Sequence, residues 1–127
     1  MSLERRALVV DDDTAIRILL ARVLTRSAFE VDSARDGAEA IEKLQAHEYD
    51  IVILDLMMPR IDGAGVVKYL TEHDPSMLPR VIVLTAFGAS GLKRVSPPVG
   101  RVLEKPFDVE RLLREITECY WLTSGEA

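Results

Sequence analysis

Ile51-Val52-Ile53-Leu54-Asp55 runs through four apolar residues before its first charge, and Val81-Ile82-Val83-Leu84-Thr85 repeats the pattern with a hydroxyl at the end. Continuous rather than alternating hydrophobicity over so short a run is the mark of a strand covered by helices on both faces. These two runs therefore form the centre of a sheet. Upstream, Ala7 to Val10 is a third such run and stops at Asp11-Asp12; downstream, a run ending at Leu103 stops at Glu104-Lys105. Glu30 to Ala34 reads as a further, weaker strand.

The intervening segments carry helical periodicity. Ile16, Leu19, Leu20, Val23 and Leu24 recur at i, i+3, i+4, i+7 and i+8, with Asp13 or Thr14 as the cap. A second helix is expected from about Gly37 to His47, with Ala40, Ile41 and Leu44 inward. Asp62-Gly63 opens a third, carrying Val66, Val67 and Leu70. Asp108 precedes a last one, with Val109, Leu112, Leu113, Ile116 and Tyr120 on one stripe. From Phe87 to Gly100 the glycines and prolines restrict any helix to about two turns ending before Ser96, so the fourth crossover is expected to be short and mobile. Strand and helix alternate, parallel neighbours need crossovers, and right-handed ones prevail. The expected fold is thus an α/β doubly wound, five-stranded parallel sheet with helices on both faces; the order 2-1-3-4-5 is a choice among doubly wound orders that the resemblance given below also implies.

At 127 residues the chain suits one domain, expected over 1–127 with a core at about 7–122 and a polar tail at 123–127. A net charge of -5, with Arg5-Arg6 and Lys93-Arg94 as isolated basic pairs, argues against a surface for nucleic-acid phosphates. No apolar stretch is long enough to cross a bilayer, and the first ten residues lack the apolar core of a signal peptide. Cys119 has no partner for a disulfide and reads as a packing residue of the last helix. A cytoplasmic location is expected. His47 and His73 stand near helix ends and read as solvated.

In an open parallel sheet the ligand crevice lies beyond the carboxyl ends of the strands. Asp11, Asp12, Asp55, Thr85 and Lys105 all fall at that edge. Taken singly, each has a plainer explanation: a helix cap for Asp11-Asp12, a turn for Asp55, a surface lysine for Lys105. Independent caps and turns give no reason for all of them to share one edge. Three carboxylates about 4 Å apart repel by roughly 4 kcal/mol per pair at an effective dielectric near 20. Oxygen donors without His or Cys suit a hard cation, and a few carboxylates plus water suit Mg²⁺ better than Zn²⁺. A divalent ion and an ammonium around one carboxylate are parts of a phosphoryl-transfer site, with Asp55 as nucleophile and Thr85 as donor to a phosphoryl oxygen.

Val9-Val10-Asp11-Asp12-Asp13, Leu54-Asp55-Leu56-Met57-Met58-Pro59 to Gly63, Leu84-Thr85-Ala86 and Glu104-Lys105-Pro106-Phe107 occur in that order. With these the chain resembles the response regulator receiver domain, a flavodoxin-like family of two-component and phosphorelay signal transduction, over residues 7 to about 122. The resemblance implies that Asp55 accepts a phosphoryl group from a histidine kinase or histidine phosphotransfer protein. It also implies that Asp12, Asp55 and the backbone carbonyl of Met57 bind Mg²⁺, with Asp11 acting through water. Thr85, with Ala86 beside it, and Lys105 would contact the phosphoryl group, and the Lys105-Pro106 bond would be cis. A downstream effector protein and self-association into a homodimer are further expectations of the resemblance.

The chain departs from the family's pattern in three places. Val102 stands three before Lys105, where an aromatic switch partner of the threonine is usual, so another readout of phosphorylation is required. Met57 and Phe87 are apolar where similar domains admit or orient the hydrolytic water, which predicts a phosphorylated form that hydrolyses slowly by itself. Two other functions fit parts of the pattern. A Mg²⁺-dependent aspartyl phosphohydrolase would need a cap insertion, absent here, and an acid at the position Met57 occupies. A receiver-like interaction module that never takes phosphate would not need the full set of acids and Lys105.

Overall fold

The computed structural model describes residues 5–56, 63–85 and 99–124. Its strands are β1 (Arg5–Val10), β2 (Phe29–Ala34), β3 (Ile51–Asp55), β4 (Val81–Thr85) and β5 (Arg101–Glu104), joined in one sheet of order β2-β1-β3-β4-β5. Every neighbouring pair is parallel. The burial agrees with this order: β3 and β4 are buried at all five positions, which only interior strands covered on both faces can be. The edge strands β2 and β5 are mixed in burial and correspondingly harder to read.

Alternate strand residues divide the interior in two. Leu8, Val10, Val52, Leu54, Val81 and Val83 pack with residues of α2 (Gly37–Ala46) and α3 (Gly63–His73) on one face. Ala7, Val9, Ile51, Ile53, Ile82 and Leu84 pack with α1 (Thr14–Arg26) and α4 (Val109–Ser124) on the other. The helix starts are set by side-chain caps. Asp13 accepts from the Ala15 and Ile16 N–H groups, Asp36 from Glu39 N–H at 2.8 Å, and Asp108 from Arg111 N–H at 2.7 Å.

Several expectations from the sequence need correction. Leu19 does not face inward but is 44% exposed, because the buried residues of α1, Leu20, Val23 and Leu24, define a stripe whose flank Leu19 only borders. Val109 is likewise 40% exposed, in the first turn of α4 where the helix has just left the sheet. A 3-10 helix at Pro75–Arg80, not anticipated between α3 and β4, buries Met77 and Leu78. Helix α2 ends at Ala46, with His47 as its C-cap. The expected short fourth helix falls within 86–98, outside the described residues.

Candidate functional site

The register of the sheet brings the acids together. Val10 lies opposite Leu54 and Asp55 opposite Leu84, so Asp11 and Asp12 follow β1 at the level where β3 delivers Asp55 and β4 delivers Thr85. On the far side Thr85 is level with Glu104, and the Thr85 carbonyl accepts the Lys105 N–H at 2.7 Å. One carboxylate oxygen from each of Asp11, Asp12 and Asp55 lies within 4.8 Å of the others. The Lys105 ammonium stands 3.5 Å from Asp55 Oδ1 and 3.7 Å from Asp11 Oδ2. The Lys105-Pro106 peptide that follows is cis.

Burial makes this grouping chemically consequential. Asp11, Asp55 and Thr85 are buried, whereas Asp12 is exposed. Asp11 is held from three directions: its N–H donates to the Ala34 carbonyl, its carbonyl accepts from Arg17, and its Oδ1 accepts the Asp13 N–H at 2.9 Å. Its Oδ2 is buried and makes no hydrogen bond among the described residues. Desolvation pushes the Asp11 carboxyl above its ordinary range, against the lowering pull of the Asp13 N–H and Lys105. A buried oxygen without a hydrogen bond among the described residues, on a carboxylate grouped with a second buried one and 3.7 Å from an ammonium, fits a cation that is small, hard and oxygen-seeking. The donors present thus fit Mg²⁺.

Of the residues singled out from the sequence, the structure brings together Asp11, Asp12, Asp55, Thr85 and Lys105. Met57 and Ala86 lie outside the described residues, as do Phe87 and the turn holding Pro59 and Asp62. Val102 is half-buried against the core cluster on the α2 and α3 side, level with Val83 of β4. Two supporting residues escaped the sequence reading. Gly63 does more than open α3: a Cβ there would sit 2.5 Å from the Asp55 carbonyl oxygen and 2.7 Å from Leu56 Cα. The backbone of α3 thus presses directly on the strand end that presents Asp55, and the Gly63 N–H donates to the Leu56 carbonyl at 3.1 Å. Arg17, which anchors the Asp11 carbonyl, could have been suspected from its place one turn into α1.

The chain matches the model of the response regulator receiver domain over residues 7–117. It is 32% identical to the response regulator receiver protein CpdR of Brucella abortus over 114 residues, covering 88% of this chain and 93% of that protein. It is 40% identical to the response regulator MprA of a Mycobacterium species (strain KMS) over 123 residues, covering 95% of this chain and 53% of that protein. The chain therefore spans about half the length of MprA. Among solved structures, a response regulator signal receiver domain from Bermanella marisrubri superposes with a TM-score of 0.81 at 35% identity, over 91% of this chain and 98% of that one.

Proposed function

The chain belongs to the response regulator receiver domain family, and from that premise we propose that Asp55 accepts a phosphoryl group from a phosphohistidine and thereby switches a protein-binding surface. The observation that carries this reading is the meeting of three carboxylates within 4.8 Å beside an ammonium 3.5 Å from Asp55. An Asp55 oxygen attacks phosphorus and the phosphorus–nitrogen bond of the donor breaks. The imidazole leaves with that electron pair and takes a proton from solvent. Asp12, Asp55 and the Met57 carbonyl would hold Mg²⁺, with Asp11 contributing through water; bound there, the ion would neutralise charge on the phosphoryl oxygens.

The residues of the chain supply the rest. Lys105 offsets the negative charge that collects at Asp55, and Thr85, at the end of the adjacent strand, donates to a phosphoryl oxygen. By the family's pattern Ala86, next in sequence, would contact the phosphoryl group as well. Val102 cannot report phosphorylation by aromatic rotation, so another readout of the change is required. The domain works as a switch, not an enzyme with turnover. Residues 1–127 hold one receiver domain, acting in the cytoplasm with a histidine kinase or phosphotransfer protein upstream and an effector protein downstream. No helix among the described residues is long and apolar enough to cross a membrane.

Intact-mass measurement after treatment with acetyl phosphate and Mg²⁺ tests the reading. The wild-type chain should gain one phosphoryl group and the Asp55→Asn variant none. An adduct on both proteins would remove Asp55 as acceptor, and catalytic release of phosphate from a panel of phosphoesters would replace the switch by a hydrolase.

A further inference from the structure

A cleft at the opposite edge of the sheet from Asp55 has a volume of about 960 Å³. Arg6 of β1, Asp50 just before β3 and Arg80 just before β4 mark this as the edge where those three strands begin. Its walls are the last turns of α2 and α3 with the segments that follow them. Two helix carboxyl ends therefore face one cavity, and each brings a partial negative charge from its last carbonyls.

The side chains add to that sign. Arg6 is met from outside the cleft by Asp32 at 3.4 Å and Glu30 at 3.9 Å, and Arg80 faces Asp50 at 3.9 Å. Glu48 and Asp74, both exposed, then set the character of the mouth. Aromatic faces complete it. Tyr69 and His73 stack with centroids 4.6 Å apart, and His47 meets the buried Tyr49 edge to face at 6.2 Å. Carboxylates, helix carboxyl ends and the half-buried Tyr69 ring in one concavity all favour the same class of guest, because each attracts positive charge and the free part of the ring also accepts a flat guanidinium.

We propose that this cleft, formed by the ends of α2 and α3 around Glu48, Tyr69 and Asp74, is a binding site for a small organic cation of the amine or guanidine class. It shares no residue with the acid cluster at Asp55, so its failure would leave the phosphoacceptor reading untouched. Titration of the full chain in saturating Mg²⁺ with agmatine, followed by amide chemical shifts, tests it. Saturable shifts are expected at 46–50 and 69–74, unchanged in an Asp55→Asn background. The Glu48→Gln/Asp74→Asn double variant, which keeps an oxygen acceptor for the Ser76 hydroxyl that donates to Asp74, should weaken binding about tenfold. Tyr69→Leu should weaken it about threefold. Shifts confined to the surroundings of Asp11, Asp12 and Asp55, saturable binding of benzoate in place of agmatine, or no saturable shift at all would each overturn the proposal.

Discussion

Gly63 carries a constraint that no contact of its own side chain can express, since its place against the Asp55 carbonyl is open only because it has no Cβ. Gly63→Ala forces backbone against backbone, and we expect a loss of about 2 kcal/mol in urea unfolding together with slower phosphorylation of Asp55. Cys119 is a second residue whose environment decides its chemistry. It is buried, its thiol donates to the Pro79 carbonyl at 3.3 Å, and burial pushes its pKa from 9.0 up to about 11. The folded state then holds this proton more tightly than the unfolded chain. Stability linked to it is complete below pH 9 and lost as pH rises through about 11, up to about 3 kcal/mol. Comparing wild type with Cys119→Ala by thermal melts across that range should show the alkaline loss shrinking in the variant; equal slopes would refute it. For Met57 and Phe87, apolar where water would have to be held near the phosphorylated aspartate, the expected outcome is a phosphorylated form that persists for many minutes. Spontaneous loss within seconds, followed by intact mass, would contradict it.

At the scale of elements, the acids are presented by strand ends, and the helices hold those ends in register. The start of α1 matters most, because Asp13 caps it while its own N–H ties back to Asp11 Oδ1. Asp13→Ala should cost about 1 kcal/mol through two unsatisfied N–H groups, whereas Asp13→Asn should retain most of that stability, measured by denaturant unfolding. Elements also explain which readings succeeded. The central strands were legible as continuous apolar runs because burial on both faces forbids polar residues there. Leu19 misled because a helical repeat identifies a stripe but not how wide a stripe the sheet covers, and the 3-10 turn at Pro75–Arg80 has too few residues to show a period.

For the whole molecule, bringing Asp11, Asp12 and Asp55 to one edge stores electrostatic repulsion that a divalent ion bound there would relieve. Mg²⁺ at about one hundred times its dissociation constant should stabilise the folded chain by about 2.7 kcal/mol and raise its Tm. The gain should vanish in Asp12→Asn, which removes an exposed donor without opening the core. An equal gain in wild type and variant, read by thermal melts with and without the ion, would place the ion elsewhere.

What the amino-acid order determined by itself was local and periodic: four strands by their apolar runs and a fifth more weakly, the helices by their repeats and caps, and the residues that end each strand. From these, one edge rich in acids followed once strand order was assigned. Only the tertiary structure decided which oxygens face one another: that Asp11 is buried with Oδ2 unbonded, that Lys105 spans Asp11 and Asp55, and that α3 abuts Asp55 through Gly63. The cleft at the far edge was equally invisible, since its residues come from separate segments. Periodicity reports which way a side chain points from its own element, whereas distances between elements depend on packing that no single segment encodes.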